Sequence, residues 1–277
     1  MAYITVGKEN SADIQLYYED RGSGKPVVLI HGWPLSGGSW EKQSAMLLAA
    51  GYRVITYDRR GFGRSSAPDV GYDYDTFAGD LAKIIEKLGL TDAALVGFSM
   101  GGGEVARYMG KFAGKGVAKI AFISSIAPAL RKDGNNPDGA DPAIFEGIKH
   151  EIEKDRYAFL EQFLHNFYNK KLLGGADISD EALRASWNVA AASSYSAMLR
   201  CVDAWLEDFR PDLANVQVPT LVVHGDKDAI VPLEVSGQRV PQLVRHARLH
   251  VVKDGPHGLN WTHATELNKA LLEFLRS

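Results

Sequence analysis

Ser99 stands in the middle of Gly97-Phe98-Ser99-Met100-Gly101, with Gly102 and Gly103 directly behind it. The apolar run Ala93 to Phe98 precedes it, and Glu104 to Met109 continues in a helical pattern. A G-x-S-x-G string alone is a weak pattern. Between a strand and a helix it describes a sharp turn that lifts the serine hydroxyl out of a sheet. Glycines two places before and two places after give that turn the room it needs. The start of the helix adds free N–H groups that favour developing negative charge. The plain alternative is a glycine-rich turn with no chemistry.

A serine hydroxyl becomes a useful nucleophile when a base takes its proton. In this context the partners follow in chain order, acid first and histidine last. The late histidines are His224, His246, His250, His257 and His263. His257 lies in Asp254-Gly255-Pro256-His257-Gly258, directly after the apolar run Arg248 to Val252. That is the carboxyl end of a strand, where open α/β sheets form their sites. His246 and His250 precede or lie within the run and read as structural, and His263 reads as the start of the last helix. The acid is expected after the run Thr220 to His224, in His224-Gly225-Asp226-Lys227-Asp228. Asp228 lies 29 residues before His257 and precedes Ile230-Val231-Pro232. Asp226 is nearer the strand end and could instead brace the turn. Spacing alone leaves both open.

Acyl transfer also needs backbone N–H donors aimed at the oxygen that gains charge. One is expected from Met100, the residue after the nucleophile, and the second from the loop after an early strand. That loop is His31-Gly32-Trp33-Pro34. Trp33 is the natural donor, because Pro34 has no N–H.

These residues need a frame. Pro26 to His31, Tyr52 to Tyr57, Ala93 to Phe98, Val117 to Ser124, Thr220 to His224 and Arg248 to Val252 are continuous apolar runs, as in parallel strands covered on both faces. Asp80 to Leu88 and Thr265 to Leu275 carry apolar residues at helical spacing. Tyr3 to Val6 and Ile14 to Glu19 read as an antiparallel hairpin at the sheet edge. Together these predict a doubly wound, mostly parallel, eight-stranded α/β sheet. The alternation breaks between about Ala129 and Pro219, where the chain is helical and rich in aromatics. Residues 129–218 are therefore expected to form a helical cap over a core made of 1–128 and 219–277. The cap aromatics could also simply fill a subdomain interior.

The chain has 277 residues, 45% hydrophobic and 23% charged, which is ordinary for a globular protein. A net charge of −3 without a basic stripe argues against nucleic-acid binding. Cys201 is the one cysteine, so no internal disulfide is expected. It lies in an amphipathic stretch and reads as packed rather than reactive. No signal peptide and no membrane span are expected, and a soluble cytoplasmic protein is the default. No histidine set of the H-E-x-x-H kind suggests a metal, and no cofactor is implied.

The combination H-G-W-P-L-S-G-G-S-W, Y-D-R-R-G-F-G-R-S, Y-D-Y-D-T-F, G-F-S-M-G-G-G-E-V-A-R-Y, D-F-R-P-D and P-H-G-L-N-W-T-H resembles the cofactor-free, non-haem haloperoxidases of the α/β-hydrolase fold and their aryl esterase, perhydrolase and γ-lactamase relatives. The resemblance spans nearly the whole chain. It implies a triad of Ser99, Asp228 and His257, which decides between the two aspartates, and oxyanion donors at Trp33 and Met100. N-F-Y-N and S-W-N-V-A look especially similar to γ-lactamases. Dehalogenase and epoxide-hydrolase relatives carry aspartate where Ser99 stands. The implied activity is hydrolysis of small carboxylic esters through an acyl-enzyme, with perhydrolysis when peroxide replaces water. The alternatives are a lactam hydrolase with the same triad and, from a different class, a ligand-binding receptor on a hydrolase fold. The implied partners are a small ester, a lactam, or a carboxylic acid plus peroxide, with self-association into a homo-oligomer. Trp33, Phe163, Phe167, Trp205, Ile230 and Leu259 are expected to line the substrate pocket. Pro34 restricts Trp33 to extended conformations. The Trp33 carbonyl is therefore expected to face bound peroxide and accept its hydrogen bond, unless Pro34 only shapes the loop.

Overall fold

The computed structural model describes residues 2–170 and 178–277. Eight strands form one sheet: β1 (Ala2–Glu9), β2 (Ala12–Arg21), β3 (Pro26–Ile30), β4 (Arg53–Tyr57), β5 (Ala93–Phe98), β6 (Val117–Ile123), β7 (Thr220–Gly225) and β8 (Ala247–Val252). Their order is β1-β2-β4-β3-β5-β6-β7-β8. β2 pairs antiparallel with both β1 and β4, and every other pair is parallel. This is the expected doubly wound α/β sheet with its hairpin at one edge.

The apolar runs are continuous because the middle strands are covered twice. Val28 and Ile30 of β3 enter one hydrophobic cluster, and Val27 and Leu29 enter a second on the opposite face. Side chains alternate along a strand, so one strand feeds two cores. α2 (Tyr74–Lys87) and α3 (Met100–Lys111) cover the first face, while α1 (Glu41–Ala49) and α10 (Ala264–Arg276) cover the second. β8 departs from the expectation of full burial. Arg248 and Val251 are exposed, because β8 is the other edge of the sheet.

α2 begins earlier than the periodicity from Asp80 suggests. Asp73 caps it, accepting from the Thr76 N–H at 2.8 Å. Asp80 faces inward without breaking the helix, because Arg60 meets it with two hydrogen bonds of 2.8 Å. Between β6 and β7 the chain leaves the sheet and builds α4 (Pro142–Phe167), α5 (Asp180–Ala191), α6 (Tyr195–Ala204) and the short α7 (Arg210–Leu213). α4 is interrupted at Asp155, whose backbone is extended and whose Oδ1 accepts from the N–H groups of Tyr157 and Ala158. It packs against α5 and α6, and α7 packs against α3 of the sheet layer. Short α8 (Val240–Leu243) leads into β8, and α9 (Leu259–Thr262) leads into α10. His263 is the N-cap position of α10. Cys201 is fully buried on α6, and burial pushes its thiol up to about 12. No described helix is long and apolar enough to cross a membrane.

Candidate active site

The turn from β5 into α3 holds Ser99 at φ 54°, ψ −118°. This region disfavours a residue with a Cβ and costs about 1–3 kcal/mol. The surroundings hold it there: the Ser99 N–H donates to the Ile123 carbonyl at 2.8 Å, and the Ser99 carbonyl accepts from Gly102 at 2.9 Å. The flanking glycines are steric necessities. A Cβ on Gly97 would lie 2.4 Å from the Gly101 carbonyl oxygen, and one on Gly101 would lie 2.4 Å from that of Ile30.

His257 arrives on the loop after β8. Its ring lies between Phe98 and Phe167, with centroids at 5.2 and 4.8 Å. Its Nε2 lies 2.9 Å from Ser99 Oγ, and its Nδ1 lies 2.7 Å from Asp228 Oδ2. A carboxylate only accepts, so Nδ1 carries the proton and Nε2 is free to take one from the serine. Asp228 follows β7 and is buried, whereas Asp226 is exposed. Asp228 Oδ1 accepts from the N–H groups of Ile230 at 3.0 Å and Val231 at 2.8 Å. Burial opposes its ionisation, yet the charge of His257 and hydrogen bonds from His224 and His257 outweigh it and hold the carboxyl well below the usual carboxylate range.

His224 is a partner that sequence reasoning missed. Its Nε2 lies 3.2 Å from Asp228 Oδ2 and 2.8 Å from the Val231 carbonyl. Two facing acceptors require the proton on Nε2. The H-G-D-K-D string carried a signal, because His224 and Asp228 stand only four residues apart across the end of β7. His246 is exposed, and His250 bonds Glu266 at 2.8 Å.

Met100 opens α3, so its N–H belongs to the helix's unpaired first turn. Trp33 is buried in the loop after β3. Neither N–H meets a protein acceptor among the described residues. His31 sets the Trp33 loop: its Nδ1–H donates to the Gly32 carbonyl at 2.8 Å and its Nε2 accepts from the Arg59 N–H at 2.9 Å. Burial, and then the charge of Arg59, lower its pKa well below the ordinary histidine value, so it is neutral.

Ser99 opens into a cavity of about 630 Å³. Of the residues singled out in the sequence for the substrate pocket, Trp33, Phe163, Trp205 and Ile230 line it. Phe167 and Leu259 do not. Both are fully buried in the second core cluster, where Phe167 packs edge-on against the His257 ring and Leu259 lies under the loop that carries it. They pack behind the His257 ring instead of facing the cavity. The sequence reasoning missed Phe145 and Ile148 on the first half of α4, Phe159 on the second, and Ile126, Leu130, Val231 and Val235. Phe159 was within reach, since it stands four residues before Phe163 on the same helical face. Trp33 is the hub of the aromatic wall, meeting Trp205 at 4.9 Å and Phe163 at 5.0 Å between ring centroids. Lys132, Asp138 and Asp141, on the loop before α4, add charged groups to the lining. Among the described residues no three His, Cys, Asp or Glu side chains are grouped as metal ligands.

The chain matches the family model described as "alpha/beta hydrolase fold" over residues 25–264. It is 53% identical, over 100% of both chains, to a Synechocystis sp. protein named "Putative non-heme chloroperoxidase". It is 35% identical, again over 100% of both, to a bifunctional esterase/perhydrolase of Acinetobacter calcoaceticus. Among solved structures, a bromoperoxidase from Bacillus anthracis superposes with a TM-score of 0.94 at 47% identity, covering 100% of this chain and 99% of the other. An esterase from Exiguobacterium antarcticum gives 0.90 at 31% identity, with 96% and 97% covered. With its strand order, its serine turn and these relatives in view, the chain belongs to the α/β hydrolase fold family, among its non-haem haloperoxidase and esterase/perhydrolase members.

Proposed function

We propose that this protein is a serine hydrolase of small carboxylic esters that also performs perhydrolysis. The observation that carries the reading is the unbroken chain from Ser99 Oγ through His257 to Asp228, with bonds of 2.9 and 2.7 Å, beside an apolar cavity. Ser99 attacks the ester carbonyl while His257 Nε2 takes the hydroxyl proton. The N–H groups of Trp33 and Met100 hold the oxyanion. His257 returns the proton to the departing alcohol, leaving an acyl-enzyme, and then activates the water that releases the acid. Each oxyanion donor supplies about 3–4 kcal/mol of the barrier reduction.

Hydrogen peroxide in place of water attacks the same acyl carbon and gives a proton to His257; the bond from that carbon to Ser99 Oγ breaks, His257 returns the proton to Oγ, and the acyl group leaves as a peracid, which oxidises halide in solution. The names of the haloperoxidase and esterase/perhydrolase relatives favour this branch. In this proposal the Trp33 carbonyl, oriented by Pro34, accepts a hydrogen bond from the peroxide. The helical excursion between β6 and β7 acts as the cap that roofs the acyl pocket.

The deciding experiment is steady-state hydrolysis of p-nitrophenyl acetate by wild type and Ser99→Ala with a chelator present. Rapid turnover that ignores the chelator and falls by about 10⁴-fold or more in the variant is expected. Equal rates in both proteins would overturn the role of Ser99.

A further inference from the structure

Behind the serine turn, out of reach of solvent and of the cavity, lies an ion pair that the mechanism above does not use. Arg59 follows β4 and Glu104 lies in the early turns of α3, and each side chain is 1% exposed. Arg59 Nε donates to Glu104 Oε2 at 2.8 Å, and Nη2 approaches the same oxygen at 2.7 Å. Nη2 also donates to the carbonyl of His31 at 3.0 Å, and Nη1 lies 3.9 Å from the Met100 sulfur. The backbone N–H of Arg59 donates to His31 Nε2. Tyr57 donates its hydroxyl proton to the other Glu104 oxygen, and the Tyr74 hydroxyl donates to the Met100 carbonyl at 3.1 Å. One guanidinium is thus bonded to two separate segments. On one side it holds His31, two residues before Trp33. On the other it holds Glu104, one helical turn after Met100.

Stability alone does not account for such a pair. Removing two charges from water is costly, and apolar residues of similar volume commonly serve a buried site equally well. A guanidinium does something they cannot, because its planar fork fixes the distance and angle between the groups it bridges. Oxyanion stabilisation depends on that distance, since donors must already stand where the charge develops. A displacement of about 1 Å typically costs about 10²-fold in rate.

We propose that Arg59 and Glu104 are a positioning pair that sets the separation of the Trp33 and Met100 N–H groups, and so the strength of the oxyanion hole. The inference rests on the acyl-transfer reading given above. Neither residue touches the substrate. Both act through the two segments they tie together.

The test replaces both partners at once, Arg59→Met with Glu104→Leu, so that no charge is left unpaired. Melting temperature, kcat and KM for p-nitrophenyl acetate, and inhibition by benzeneboronic acid are compared with wild type. The boronate forms a tetrahedral adduct with the serine and places an oxygen where the oxyanion would lie. The expected result is a folded protein whose melting temperature is lowered modestly, because the Tyr57 hydroxyl and the His31 carbonyl lose a partner, with KM within about twofold, kcat lower by about 10- to 100-fold, and boronate affinity weakened by a similar factor. A folded double variant that keeps kcat and boronate affinity within threefold overturns the proposal. So does a fall in kcat that comes only with a matching loss of the folded population. If the double variant does not fold, Arg59→Lys decides. It keeps the charge but lacks the fork, so kcat is expected to fall with KM held, and full kcat overturns the proposal. Ser99→Ala serves as the separate control. If it keeps hydrolysis or boronate binding, the acyl-transfer reading itself fails, whatever the Arg59 variants do.

Discussion

Ser99, Asp228 and His257 hang from the carboxyl ends of β5, β7 and the loop after β8, whereas most of the cavity wall comes from α4, Trp205 and the loops around them. The first region is held by backbone. β5 and β7 are paired on both sides, β8 is paired with β7, and Asp228 is gripped by four hydrogen-bond donors. The second region is held by packing. Trp33, Trp205, Phe159 and Phe163 meet through ring faces and edges, with no directional bond between them. Precision belongs to the sheet, and shape belongs to the helices. Substitutions in the first region should therefore act on kcat, and those in the second on substrate choice.

Asp228→Asn should give the largest effect. It preserves size but favours the wrong histidine tautomer, and kcat is expected to fall by about 10⁴-fold with KM little changed. A loss confined to KM would erase the contrast between the regions. Phe167→Ala comes next and tests the boundary, because this residue is on α4 yet backs the His257 ring. It should cost about 3–5 kcal/mol of stability, roughly 10 °C in melting temperature, and lower kcat. Phe163→Ala, one turn earlier and facing the cavity, should instead change KM and selectivity between short and bulky acyl groups by about tenfold, with kcat held. Equal behaviour of the two phenylalanines in both assays would show that the division drawn here is wrong.

A smaller effect concerns acid. His31 is buried and neutral, with its pKa depressed, so the unfolded chain binds a proton that the folded chain refuses. Its contribution is whole above the unfolded value of about 6.5 and is lost as pH falls toward the folded value. Melting temperature measured below about pH 6.5 should therefore fall less steeply in His31→Gln than in wild type. Pro34→Leu should give the subtlest change, a lower ratio of perhydrolysis to hydrolysis on the same ester. An unchanged ratio would remove Pro34 from the peroxide proposal.

The same division explains what could be read from the sequence. Apolar runs and their turns are local, so the strands, the serine turn and the loop of His257 are visible in consecutive residues. The motif set then singles out Asp228 from Asp226, and burial of one and exposure of the other give the physical contrast. Which side a cap aromatic faces is not local. Phe163 and Phe167 are one turn apart on the same helix, and only the crossing of α4 over the sheet sends one toward the cavity and the other under His257. Leu259 was misplaced for the same reason, since nearness in sequence to His257 does not reveal which face of the loop looks outward. The Arg59–Glu104 pair was invisible because its partners are 45 residues apart.

The break in α4 at Asp155 has a consequence for how such a scaffold acquires new substrates. Phe145 and Ile148 lie on one side of the break, and Phe159 and Phe163 on the other. The two halves are separate walls meeting at a joint, with the Asp155 side chain closing the start of the second half. Asp155 is not among the residues lining the cavity, so a substitution at the joint is expected to move the two walls relative to each other and change the bore of the cavity without touching Ser99. On the function proposed above, mutation at this joint is a route to a different substrate range that leaves Ser99, Asp228 and His257 as they are.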